Sequence, residues 1–245
     1  MSEYTNLSPT ANLGFDIARG NIEEATNVNL FGYNAAVGTS YETLWNVGGQ
    51  YSYNGTATTM NVASSASGDS SKRVLVQGVD AEFEAISEVV TMDASNATTP
   101  VSTVAEFLRV NQIILLDGEN AGNITISDNG STYGYIAIGE GISQACQYTV
   151  PKGYSLYLFR INVNSATATG NKYITFRNVT RTAEGRVIRI ARATLATTEA
   201  TYDRQIPFKV EEKTYFEFEA KSSSSSNEVA IFVECVLLKN PWGRD

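Results

Sequence analysis

Histidine is absent from the 245 residues, and this gap removes more chemistry than any other feature of the chain. Triads in which a His base activates Ser or Cys are excluded, as are zinc sites built on His. With only Cys146 and Cys235 present, a four-cysteine zinc site is excluded as well. Both cysteines lie far apart, inside apolar strand-like segments, the setting of buried free thiols that act as small hydrophobes and not of a disulfide framework. Long apolar runs are also missing: none approaches the roughly 18 residues of a membrane helix. The opening residues MSEYTNLSPTANLGF hold neither a basic patch nor an apolar core for secretion, so export by the general route is not expected. Catalysis is left with paired carboxylates, Lys or Tyr chemistry, or a metal on oxygen ligands, each of which needs a convergent pocket. The expectation is a protein that is not an enzyme and carries no cofactor or metal.

Charged residues are few, 18% against 42% hydrophobic, and mean hydropathy is −0.16. That composition is globular, and the length suits one large β-domain or two ordinary ones with enough core to need no staples. The charge is unevenly placed: residues 1–150 hold 4 Lys and Arg against 16 Asp and Glu, residues 151–245 hold 14 against 10. An acidic half and a mildly basic half suit units that face different partners, or each other in neighbouring copies. A pI near 4.7 argues against nucleic acid as the main ligand. The Arg-rich stretch FRNVTRTAEGRVIRIAR is the one segment that departs from this, read as a solvated strand face, a subunit contact or a polyanion site.

Periodicity along the chain is that of strands. YITFRN sets Ile174 and Phe176 against Tyr173, Thr175 and Arg177, and TYFEFEA sets Phe216 and Phe218 against Tyr215, Glu217 and Glu219, which predicts two half-buried strands. EVAIFVECVLLK and SLYLFRINV are apolar on both faces and predict central strands covered on both sides. Further strands are expected at 58–63, 72–79, 82–92, 107–116, 122–127, 132–138, 143–150 and 186–195, with TVAEFLRV at 103–110 either a strand or the one short helix. Asn129-Gly130 between two apolar runs marks a tight hairpin, because both central positions of the favoured turn need positive φ. Short strands separated by Gly, Ser and Asn turns predict an all-β chain of two antiparallel β-sandwich, jelly-roll-like domains. The junction is placed at QYTVPKGYS, giving domains at 29–150 and 151–245; residues 1–28, with no periodic face, form an extended arm that orders on a neighbour, or a frayed terminus.

Other clusters carry weaker signals. Asp80, Glu82, Glu84, Glu88 and Asp93 would place Glu82, Glu84 and Glu88 on one side of a strand, able to hold a hard cation only if a loop added oxygens; otherwise this is a solvated face. Asp117 to Asn123 is a turn-like loop rich in oxygen ligands. The densest aromatic stretch, FGYNAAVGTSYETLWNVGGQYSYN, brings Tyr33, Tyr41, Trp45, Tyr51 and Tyr53 together with a single ionisable acid, Glu42. Aromatic, Gly-rich and charge-poor segments bury large area at low side-chain entropy cost, so these five are candidate interface residues, with core packing as the alternative.

The order of ARGNIEEATNVNLFGYNAAVGTSYETLWNVGGQYSY, VQGVDAEFEAISEVVTM, FLRVNQIILLDGENAGNITI, YTVPKGYSLYL and IPFKVEEKTYFEFEAKSSSSSNEVAIFVECVLL resembles the auxiliary structural proteins of tailed bacteriophages, over residues 18–238. The resemblance implies a virion component made in the host cytoplasm and placed on the capsid surface or at the neck or tail. Its implied partners are the major capsid protein or other virion proteins and further copies of itself, with no membrane or nucleic acid. It supplies no residue-level site. A capsid decoration or cement protein is one expectation; a tail, collar or fibre-base module binding a tail protein or host glycan is the second, and a carboxylate-dependent depolymerase is the third.

Overall fold

The computed structural model describes residues 13–166, 173–195, 197–224 and 226–240. A short helix, α1 (Leu13–Ala18), leads into β1 (Ala25–Val37) and the two-residue β2 (Glu42–Thr43). Seven strands follow: β3 (Thr58–Ser64), β4 (Arg73–Val79), β5 (Ala85–Thr91), β6 (Val101–Phe107), β7 (Arg109–Leu115), β8 (Ile124–Asp128) and β9 (Ser131–Ile136). The chain closes with β10 (Gln147–Thr149), β11 (Tyr154–Ser165), β12 (Ile174–Thr182), β13 (Val187–Leu195), β14 (Glu199–Val210), β15 (Thr214–Ser222) and β16 (Asn227–Lys239). All pairings among the described strands are antiparallel, so the all-β expectation holds, and TVAEFLRV spans the end of β6 and the start of β7, broken at Leu108.

The strands form two sandwiches. One packs the sheet β6-β3-β8-β9 on β5-β4-β7 around Met60, Val62, Val76, Phe107, Ile113 and Ile126. The other packs β1-β16-β11-β14 on β10-β15-β12-β13, with β2 added beside β15, around Leu156, Leu158, Phe216, Phe218, Ile231 and Val233. Asn129 and Gly130, at φ of 46° and 81°, turn the β8–β9 hairpin as the sequence predicts.

The division of the chain differs from the expected cut at 150/151. Leu30, Val37 and Leu44 share a core with Cys146, Val150 and the buried apolar residues of β11 to β16, whereas the buried apolar residues between Trp45 and Ile136 close on their own core. The first sandwich is therefore inserted into the second. Both crossings lie side by side: the Cys146 N–H donates to the Leu44 carbonyl at 2.9 Å, and Trp45 pairs with Ala145 in an isolated antiparallel bridge. Gly32 makes this junction possible, because a Cβ there would meet the Leu44 carbonyl oxygen and the Cys146 Cβ at 2.5 Å. Insertion at adjacent crossings lets each unit keep its own core, and it is invisible to a linear reading because β1 finds its partner β16 about two hundred residues away.

The proposed arm at 1–28 is corrected by the same fact. Ala25 to Val28 already pair with Leu238 to Cys235 in the sheet, and residues 13–18 are helical; the arm reading of residues 1–12 lies outside the described residues.

Candidate functional site

The half-buried strand expected at TYFEFEA is covered on both faces. Glu217 and Glu219 are buried, at 0% and 1% exposure, because the face of β15 opposite Phe216 and Phe218 meets the segment that links the two sandwiches. Residues of alternate parity thus serve two contacts: the apolar set fills the sandwich, and the polar set faces a seam between sandwiches.

The seam is built by cross-strand pairing. Arg177 lies directly opposite Glu219 on β12 and β15, and Arg181 is placed diagonally from Glu217. Arg177 Nε donates to Glu219 Oε2 at 2.5 Å, Arg181 Nη1 donates to Glu217 Oε1, and Arg181 Nη2 reaches Glu219 Oε1 at 3.5 Å. From the linking segment, the Thr43 hydroxyl donates to Glu217 Oε2 at 2.8 Å and accepts from the Tyr51 N–H at 2.9 Å. Burial pushes the Glu217 carboxyl above the usual carboxylate range, against the pull of Arg181 and the Thr43 hydroxyl. A carboxylate so enclosed offers no face to a substrate.

Aromatic rings complete the seam. Trp45, Tyr51 and Tyr53 meet edge to face with centroids 5.0 Å apart at each step; Tyr53 then stacks on Tyr215 at 5.3 Å, and Phe83 stacks on Tyr215 as well, at 5.9 Å. Arg109 of β7 lies over Tyr215 at 4.1 Å, and Arg177 lies over Tyr41 at 3.6 Å. Arg109 is buried and donates to the Leu108 carbonyl at 2.6 Å and to the Asn54 carbonyl; burial pulls its guanidinium below the usual arginine value, against the tyrosines around it. Amide bonds stitch the same boundary: Asn111 exchanges hydrogen bonds with the Thr149 backbone at 2.9 and 2.8 Å, and Gln147 Nε2 donates to the Val110 carbonyl at 2.9 Å.

Four of the five aromatic candidates, Tyr41, Trp45, Tyr51 and Tyr53, therefore sit inside one chain, at the seam or in the core beside it. Tyr33 stands apart, half-buried on β1 opposite Ala230. The residues a linear reading passed over are Thr43, Arg109 and Tyr215, and the seam role of Arg181 and the two glutamates. Their signal is two Glu at i, i+2 on one strand and two Arg at i, i+4 on another, which has meaning only once β12 is known to pair with β15.

The acidic run does not converge. Asp80 Oδ1 accepts from the Glu82 and Glu84 N–H groups to close a turn, Glu88 accepts from Val104 and Ala105 and so ties β5 to β6, and Asp93 caps its own turn. Asp117 forms a two-point pair with Arg73, which holds its carboxyl down at about 2. Among the described residues, no group of three or more Cys, Asp or Glu is arranged to hold a metal ion. A separate buried carboxylate, Asp69, accepts from the Ser64 hydroxyl, Lys72 and the Ala121 and Gly122 N–H groups at 2.6 to 3.0 Å.

In the second sandwich, β1 and β10 end the two sheets on the side of the inserted sandwich, and β14 and β13 end them on the other. There the chain is open. Residues 199–206 of β14 are exposed apart from half-buried Ala200, with Ile206 at 82%, Tyr202 at 38% and Val187 of β13 at 44%. Opposite this edge strand, the register with β11 slips between Leu158 and Arg160, which sets Arg204 to Pro207 outside the ladder. Arg186 and Arg189, the outer part of the Arg-rich stretch, are exposed on the neighbouring edge. Residues 186–210 hold 5 Lys and Arg against 2 Asp and Glu, while the inserted sandwich, 45–145, holds 3 against 11.

No protein-family model matches the chain, and no curated protein sequence does. Solved structures give a distant resemblance to viral capsid proteins. The VP2 subviral particle of infectious bursal disease virus aligns over 89% of this chain and 72% of its own, with 11% identity and a TM-score of 0.26. The T13 particle of the same virus aligns over 89% and 74%, with 11% identity and a TM-score of 0.23. The Gt strain structure covers 90% and 78%, with 11% identity and a TM-score of 0.21. The similarity is too weak to carry an argument about function.

Proposed function

We propose that this protein is a non-enzymatic structural component of a tailed-phage virion, a decoration or cement protein that binds the capsid lattice and its own copies. The observation that carries the reading is the open edge of the second sandwich. Two consecutive strands that end two different sheets carry a net basic charge and expose Ile206, Tyr202 and Val187 at the surface. Exposed strand edges and apolar patches are surfaces that proteins normally blunt or cover. The inserted sandwich at the opposite end is the complementary acid surface, so head-to-tail contact between copies, or contact with a lattice, joins opposite charges. The seam supports the same role from inside: its ionisable groups are spent holding two sandwiches in one fixed relation, as a spacer between partners requires.

The test is assembly. Sedimentation velocity of the purified chain, and its occupancy on intact particles, should both fall with Ile206→Glu, a change on an exposed side chain that leaves the core alone. Higher salt should weaken the contact further. A chain that stays monomeric, ignores every particle component and turns over a substrate would end the proposal.

A further inference from the structure

Beside the seam, a cleft of about 590 Å³ separates β1 of the second sandwich from β4, β5 and β7 of the inserted one. Its volume is that of a ligand site, and two features set its chemistry. The first is that six consecutive residues, Thr26 to Phe31, line it. Side chains on a strand alternate between faces, so an unbroken run can border a space only along the strand's edge. β1 is indeed the end strand of its sheet, paired with β16 on one side alone.

The direction of the free backbone groups follows from the ladder. The Lys239 N–H donates to the Glu24 carbonyl at 3.0 Å, and the β1–β16 register is unbroken from Ala25 to Asn34. In an antiparallel pair, bonded and non-bonded positions alternate. Residues 24, 26, 28 and 30 therefore point their N–H and C=O groups at β16, and Asn27, Asn29 and Phe31 point theirs into the cleft. Within the described chain these three have no backbone partner on that side.

The second feature is the lining. Among the described residues, no Asp, Glu, Lys or Arg borders the cleft; its polar groups are neutral amides and hydroxyls such as Gln77, Ser87 and Gln112, with Phe31 and Tyr148 as aromatic walls. This is notable beside an inserted sandwich that carries 11 acidic residues. A charged ligand would find no counter-charge here.

We infer that the cleft receives an extended, uncharged peptide segment of a partner protein, which adds as a strand to the free edge of β1. Main-chain bonds to Asn27, Asn29 and Phe31 supply the binding, and the neutral walls select segments without charge over about five residues. A second whole copy is a poor occupant, because a space of about 590 Å³ takes a few residues and not a sandwich. The inference does not depend on the virion reading, since particle attachment is not what its test measures.

The test pans a random heptapeptide library against the full-length protein and measures the recovered peptides by fluorescence anisotropy. Expected peptides contain an uncharged run without proline. N-methylation of alternate peptide amides should weaken binding at least tenfold in one parity and leave it within about twofold in the other. On the protein, Asn29→Pro removes an N–H that faces the cleft while sparing the β16 ladder, as edge strands tolerate; it should weaken binding at least tenfold. Asn29→Ala, which keeps that N–H, should change it less than threefold. Recovery of no peptide, methylation effects without alternation, or loss with Asn29→Ala but not Asn29→Pro would overturn the inference. Neutral oligosaccharides on an array, bound in an Asn29→Ala-sensitive manner while peptides fail, would instead make the cleft a saccharide site read by side chains.

Discussion

Removing the Arg181 guanidinium tests the seam most directly. Glu217 has no exposure, and besides Arg181 its carboxylate has the Thr43 hydroxyl as a hydrogen-bond partner and the like charge of Glu219 nearby. Arg181→Ala would leave that carboxylate buried and largely uncompensated, a change that typically costs about 3–5 kcal/mol. Water can reach the vacated space, because the Arg181 side chain is 23% exposed, so the lower figure is the better expectation. About 3 kcal/mol in a chain of this size corresponds to a fall of roughly 6–12 °C in Tm.

The pH dependence has a definite sign. Burial already raises the folded Glu217 carboxyl, and losing Arg181 raises it further. A group whose folded pKa is raised contributes stability that is present below its unfolded value, about 4.3 for Glu, and lost as pH rises through the folded value. The variant's deficit should thus be largest at neutral pH and shrink steadily as the pH falls toward 5. Scanning calorimetry of parent and variant across pH 5–8 measures it. Glu217→Gln is the companion: it keeps an acceptor for Thr43 and should cost less, because Arg181 retains Glu219 and partial access to water. A Tm change below about 2 °C at pH 7, or a deficit equal at pH 5 and pH 7, would refute the argument that the seam's charges are buried and mutually dependent.

Two further outcomes follow from buried groups elsewhere. Four donors outweigh the burial of Asp69 and hold its carboxyl below the ordinary value, so Asp69→Asn should destabilise by about 2–3 kcal/mol at neutral pH; because a depressed carboxylate gives its full stability above its unfolded value, near 3.9, and loses it as pH falls through the lower folded value, the difference from the parent should hold down to about pH 4 and shrink progressively below it in acid denaturation curves. Cys146 and Cys235 are buried, and burial pushes both thiols well up; a thiol reagent in native buffer should label them slowly and at a rate set by opening of the second sandwich, and fast complete labelling would contradict that placement.

Much of the strand content was legible because its cause is local. Alternation at Ile174/Phe176 and Phe216/Phe218, the two-sided apolar run of β16 and the Asn129-Gly130 turn are all consequences of side-chain direction and φ preference within a few residues. β14 was passed over because an exposed strand with a four-residue bulge has no buried face to create a pattern. β1 was passed over because its apolar positions, Val28 and Leu30, are separated by asparagines that face the cleft. The aromatic stretch is expected to meet another subunit, whereas the rings that Trp45, Tyr51 and Tyr53 meet belong to the same chain.

By itself the sequence determined an antiparallel all-β chain of two sandwiches and withheld His-based catalysis, since composition and short-range periodicity are properties of neighbours along the backbone. Tertiary structure alone decided that one sandwich is inserted in the other, that Glu217 and Glu219 are sealed by Arg177 and Arg181, and that the edge of β1 opens onto a charge-free cleft. Those features depend on which strand lies beside which, and register between residues far apart in sequence is fixed by packing, which no local pattern encodes.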